Sequence, residues 1–239
     1  AQNGYNPLSC CIIANFTAAH ENHDSLLSFN EVNVFFHEFG HIMHYILGQT
    51  TFASQNSNFA PSDFKEFPSQ LFEEWLSQKS ILKMIGKHYL TGELIPDDLL
   101  DKKFASKPIH RALNYQDSLI DARISLEYCK QEKPNLIYSA KKISQEHIRI
   151  NSDHMNFNWY YSYFDFISNP LCYRYLWTKV YALDVFSYIK KNNGILNSDI
   201  GKRFVEAILS KGSSGNYKKM MEEFMGRPLS TDAFYNSIS

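Results

Sequence analysis

The strongest constraint on this chain is a stretch near position 40 where an apolar helical pattern carries three ionisable side chains at close spacing. From Asn30 or Glu31 to about Leu47 the residues repeat with helical period, with Val34, Phe35, Ile42 and Ile46 among the apolar positions and Gly48 as a C-terminal stop. Residues 37 to 41 read His-Glu-Phe-Gly-His. On a helix the i, i+4 spacing stacks His37 and His41 on one face, where both imidazoles can share one ion, and Glu38 lies about a hundred degrees round. A carboxylate so placed stands beside a metal, able to take a proton from metal-bound water without being a ligand itself. Two core or solvent-facing histidines are the bland alternative. The apolar flanks weigh against it, because unpaired charge in a largely buried helix is costly and a metal offsets that cost.

A catalytic zinc needs a third protein ligand and an open fourth position. Glu66, in the next helical segment, is the candidate; the intervening loop, Ser54 to Ser62 with Pro61, lets that segment fold back on the first. Asp63 and Glu73 lie at i−3 and i+7 from Glu66 and are placed to accept hydrogen bonds from the far nitrogens of the imidazoles, the alternative being a solvated acidic stripe. The rival pattern HExxHxxGxxH is excluded, since it requires glycine at position 44 and histidine at position 47, where this chain has His44 and Leu47. His44 is assigned to packing or to support of the ligands.

The rest of the pattern predicts a mainly α protein. Leu8 to Phe16 is the best strand candidate, a small β element at most, and is followed by a polar loop. Helices are expected from Asp63 to about Met84, with Pro68 near the start, then from Pro96 to Phe104, Lys107 to about Cys129 and Ser139 to about Ile148. Ser168-Asn169-Pro170 reads as an N-cap with proline at the first helical position, opening a helix to about Lys191 that Gly194 ends. Shorter helices follow at about Ser198 to Leu209, Asn216 to Phe224 and Ser230 to Ile238, with a loop at Gly212 to Gly215.

At 239 residues and 44% hydrophobic content the chain can bury one sizeable core. Its 24 basic and 25 acidic residues are spread evenly, which leaves no basic face for nucleic acid. No apolar run reaches the ~18 residues of a spanning helix, so no membrane partner is expected. Cys10, Cys11, Cys129 and Cys172 show no redox or zinc-ribbon spacing; a reducing, cytoplasmic setting is the simpler expectation. Most of the 15 tyrosines and 18 phenylalanines are expected in the core.

The segments FFHEFGHIMHYIL, DFKEFPSQLFEEW, YLWTKVYALDVF and EEFMGRPLSTDAF, in this order, resemble the thimet oligopeptidase family of zinc metallopeptidases. The likeness runs from Ala14-Asn15-Phe16 to Gly226-Arg227-Pro228. It implies a zincin-like helical catalytic domain over residues 1–239, one Zn2+ ion, and hydrolysis of peptides. The family's ligands fall on His37, His41 and Glu66 and its general base on Glu38. It also points to Tyr175, which keeps a family tyrosine, as a donor to the developing oxyanion, with packing among Tyr173, Leu176 and Trp177 as the alternative. Tyr163 is the substitute for a second, substrate-contacting tyrosine.

Three departures stand out. The family's glycine- and histidine-bearing tyrosine loop is replaced here by Tyr160 to Tyr175 without either residue type, and Asn56-Ser57-Asn58 replaces a glycine-containing turn before the third ligand. The family's large N-terminal helical lobe has no counterpart in these residues, so a more open cleft is expected, with that lobe or another chain as a partner besides the peptide substrate. A zinc-binding but catalytically weak homologue that captures peptides is the competing reading; the altered loop favours it, and the retained Glu38 disfavours it. An all-helical interaction domain without metal is the third.

Overall fold

A computed structural model describes residues 8–21, 24–147, 169–192 and 194–239. Tyr163 and Ser168 lie outside these described residues. The protein is mainly α, in two compact units: residues 1–104 with 178–234, and residues 105–177 with 235–239.

The first unit is organised around helix α1, Phe29–Ile46. Ser28 starts it with a capping box: its hydroxyl accepts from the Glu31 amide, and the Glu31 carboxylate accepts from the Ser28 amide. Glu31 also accepts from the amide and hydroxyl of Thr17 at 2.7 and 2.8 Å, which ties the N-terminal segment to the head of the helix. These donors, the Ser28 amide foremost, hold the Glu31 carboxyl down at about 2.

The single helix expected from Asp63 to Met84 is broken into α2 (Ser62–Lys65), α3 (Phe67–Glu73), a 3-10 turn at Glu74–Ser77 and α4 (Lys79–Ile85). Pro68 accounts for the first break. It has no N–H to donate to the Phe64 carbonyl four residues back, so the first helix does not run on, and Pro68 instead sits in the first turn of the next one, where no such donor is needed. Glu66 is left at the junction, at once the end of α2 and the cap of α3. Conversely, the two helices expected from Pro96 to Cys129 form one, α5 (Asp97–Cys129), which continues through Pro108. The carbonyl that Pro108 cannot engage is that of Phe104, four residues back, and the two units divide just after Phe104.

Leu8–Phe16 is not a strand. It joins no ladder among the described residues, although Ile12, Ala14 and Phe16 are half-buried while Cys11, Ile13 and Asn15 are exposed, an alternation suited to an extended chain. A lone segment has no neighbour to exchange backbone hydrogen bonds with, so its β-branched composition alone builds no sheet.

The remaining helices are α6 (Leu136–His147), α7 (Arg174–Lys191), α8 (Ser198–Ala207), α9 (Tyr217–Met225) and α10 (Asp232–Asn236). Helix α7 begins later than expected, because Asn169 caps a turn by accepting from the Leu171 amide and not a helix running on from Pro170. The main core of the first unit joins Phe64, Phe67 and Leu71 to Ala182, Val185, Phe186 and Ile189 of α7, spaced to share one helix face, and to Phe204, Met221 and Phe224 beyond. In the second unit Ile120 and Ile124 of α5 pack on Leu136, Ala140 and Ile143 of α6. No described helix is long and apolar enough to cross a membrane. None of the four cysteines forms a disulfide.

A clamp fixes the C-terminal part of the first unit to α7. Arg227 donates to both oxygens of the buried Asp184 at 2.7 and 2.9 Å, and the Ser230 amide adds a third bond at 2.8 Å. Replacing Arg227 by Met leaves that carboxylate with the Ser230 amide alone among these three bonds. The expected loss is about 2 to 3 kcal/mol, read from urea unfolding midpoints at constant slope.

Candidate metal centre

Helices α1 and α3 meet at their backbones. A Cβ on the buried Gly40 would lie 2.5 Å from the Ser69 Cα and 2.7 Å from the Pro68 carbonyl oxygen, closer than packed atoms tolerate. Only glycine permits this approach, and it brings the α2–α3 junction, with Glu66, against the face of α1 that carries His37 and His41. Glu66 Oε2 lies 3.4 Å from His37 Nε2 and 3.3 Å from His41 Nε2. One donor atom from each of these three side chains falls within 4.8 Å of the others.

Those separations fit a metal ion. Tetrahedral sites with bonds of about 2.0 to 2.1 Å have ligand-to-ligand edges of about 3.3 to 3.4 Å, longer than good hydrogen bonds and equal to the two distances found. The surroundings favour a cation as well. Burial alone would lower the His37 pKa, but its contacts with Glu66 and Glu73 outweigh that and raise it to about 9. Burial likewise acts to raise the Glu66 pKa, yet contacts with both histidines and their charges carry it below the ordinary carboxylate range.

The supporting residues divide unevenly. His37 Nδ1–H donates to Glu73 Oε1 at 2.6 Å, which leaves Nε2 facing Glu66. The other Glu73 oxygen accepts from Lys179 Nζ at 2.9 Å. Asp63 is placed instead where its charge bears on the Tyr181 phenol, which burial first and Asp63 second push upward. Ser69, fully buried, donates to the Glu66 carbonyl at 2.9 Å and stands 3.4 Å from Glu66 Oε2.

Glu38 and His41 line a cavity of about 350 Å3 together with Ile42, Tyr45, Asn58 and the segment Ser9 to Ile13. This is the lower end of the range for small-molecule sites. Tyr175 belongs to the second unit, in the first turn of α7, where Arg174 stacks over its ring at 4.8 Å and donates to its hydroxyl at 3.1 Å. Three contributions went unread in the sequence: Gly40 as a contact point, Lys179 behind Glu73, and the N-terminal segment as cavity wall. Gly40 is the one with a local signal, a glycine inside the helical motif, since glycine weakens a helix unless packing demands it; the other two carry none.

His44 stands outside this convergent group. It is buried against Phe64, and burial, the largest influence, draws its pKa down to about 4; the nearby His41 charge adds to this and a bond to the Gly212 backbone opposes it.

The profile of Peptidase family M3 matches residues 2–239. The chain is 29% identical over 236 residues to saccharolysin from Saccharomyces cerevisiae, covering 95% of this chain and 33% of that protein. It is 31% identical over 230 residues to oligopeptidase A from Escherichia coli, covering 93% and 34%. To dipeptidyl carboxypeptidase from Escherichia coli it is 25% identical over 224 residues, covering 90% and 32%. The chain thus spans about a third of the length of these relatives.

Two outcomes are expected. Gly40→Ala forces α3 away from α1, and zinc affinity measured by chelator competition should fall on the order of 10- to 100-fold; unchanged affinity would mean the backbone contact does not set the ligand spacing. His44, whose folded-state pKa lies below its unfolded value of 6.5, adds stability that is present above pH 6.5 and lost as pH falls toward 4. The acid loss attributable to it is on the order of 3 kcal/mol. Comparing urea unfolding of the native chain and His44→Gln at pH 7.5 and 4.5 should show a shallower acid limb in the variant.

Proposed function

Because this chain belongs to Peptidase family M3, we propose that it is the catalytic region of a zinc-dependent peptidase that hydrolyses oligopeptides. The observation that carries this reading is the convergence of one donor atom each from His37, His41 and Glu66 within 4.8 Å, beside a cavity lined by Glu38 and His41. His37, His41 and Glu66 would hold one zinc ion. When bound, the ion supplies Lewis acidity: it lowers the pKa of water at its open position and polarises the substrate carbonyl.

The chain's own residues supply the proton handling. Glu38 accepts a proton as the water oxygen bonds to the peptide carbonyl carbon, then returns it to the amide nitrogen as the C–N bond breaks. The products are a new carboxylate and a new amine, and no covalent enzyme intermediate is required. Glu73 keeps His37 oriented throughout. Tyr175 is proposed as a hydrogen-bond donor to the oxyanion and Tyr163 as a substrate contact.

A peptide substrate also suits the cavity wall. Ser9 to Ile13 has no strand partner among the described residues, and an extended peptide alongside it would supply one. The family match runs through both units, which supports treating residues 1–239 as parts of one catalytic domain. Since the chain spans about a third of its relatives, the further partner proposed is a lobe or another chain that walls the cleft.

The test is mass-spectrometric detection of cleavage in a mixed peptide library. Glu38→Gln should cut at least about 100-fold more slowly than the native chain at equal zinc content. Undiminished cleavage by the variant removes Glu38 from the mechanism. Zinc-loaded native chain that cuts nothing favours peptide capture over hydrolysis.

A further inference from the structure

We propose that Lys179 is a positioning residue of the metal centre, holding the Glu73 carboxylate so that His37 presents Nε2 to the ion. This rests on the assignment of His37 as a ligand. Lys179 lies on α7, more than a hundred residues along the chain from Glu73, and its side chain is 12% exposed. Its ammonium group donates to Glu73 Oε2 at 2.9 Å and stands 2.9 Å from Glu74 Oε1. The opposite Glu73 oxygen accepts from His37 Nδ1 at 2.6 Å. A linear relay results: Glu74, Lys179, Glu73, His37, ligand position.

The relay has a mechanical reason. The last torsion of a glutamate is soft, so a carboxylate gripped at one oxygen swings about its own axis. Gripped at both, with the second hold from a cation that is itself fixed by Glu74, it cannot rotate without breaking a charge-assisted bond. The plane of the carboxylate then sets the direction of the His37 Nδ1–H bond, and through the rigid ring it sets where Nε2 points. Glu73 and Glu74 are adjacent in sequence and their side chains are only 17% and 4% exposed, so removing Lys179 takes a cation from between two carboxylates largely withdrawn from water. The least costly adjustment is for Glu73 to turn outward, which abandons His37. The neighbouring Thr178, bonded to Gln70 at 2.7 Å in the fully buried contact between α7 and α3, fixes the backbone from which Lys179 reaches.

The experiment compares Lys179→Met and Lys179→Arg in the 239-residue chain, with Glu73→Gln alone and combined with Lys179→Met. Zinc affinity is measured by chelator competition, and ligand geometry by the visible spectrum of the cobalt-substituted protein. Lys179→Met should weaken zinc binding about tenfold and alter the cobalt spectrum, and Lys179→Arg should restore both. In the Glu73→Gln background, Lys179→Met should add no further loss, because the residue through which it acts is already disabled. A purely structural lysine would lower the unfolding midpoint and leave the cobalt spectrum intact; that result, or independent additive losses, overturns the proposal. Should Lys179→Met not fold, Lys179→Gln carries the same comparison. A native chain that binds no zinc overturns the ligand assignment itself, whereas native binding with an unaffected Lys179→Met protein overturns only the role of Lys179.

Discussion

The backbone contact between α1 and α3 at Gly40 governs everything that the site can do. Two helices usually stand 8 to 10 Å apart because side chains fill the space between them. Here one position has no side chain, and its place is taken by the Pro68 carbonyl and the Ser69 backbone. The approach lets a short side chain at the α2–α3 junction reach two imidazoles on the opposite helix. Pro68 contributes on the other side, since the helix break it enforces puts Glu66 at a terminus and not within a continuous helical face.

Around this contact the charges form an ordered alternation. Lys179 lies between Glu74 and Glu73, Glu73 bonds His37, and His37 and His41 converge on Glu66. Each buried charge has an opposite neighbour, which limits the desolvation cost that isolated ionised groups would incur. The arrangement is tied to the main core through Phe67 and Leu71, on the same short helix as Glu73, so packing and electrostatics reinforce the same geometry.

Local signals were read well where the chemistry is local. Helix α1 was recognised from its period and its stop, although its capping box at Ser28 and Glu31 moves the start slightly upstream. Proline acts in opposite senses at two positions. At Pro68 the helix breaks, because the chain can restart there with Glu66 as a cap; at Pro108 it continues, against the local preference, along a helix whose two parts belong to separate compact units. Leu8–Phe16 shows the limit of β propensity: branched residues favour extended backbone, but a ladder needs a partner strand, and among the described residues none is present.

The sequence by itself determined the His37, Glu38 and His41 spacing, since helix geometry converts four residues of separation into a shared face wherever the helix sits. It also narrowed the candidate third ligand to Glu66 and offered Asp63 and Glu73 as candidate supports. Only the tertiary structure decided that Glu73 meets the His37 imidazole, that Lys179 stands behind Glu73, and that an N-terminal segment walls the cavity. The physical reason is range. Periodicity and capping act over one or two helical turns, whereas these contacts join residues brought together only when a glycine-sized gap lets two backbones touch.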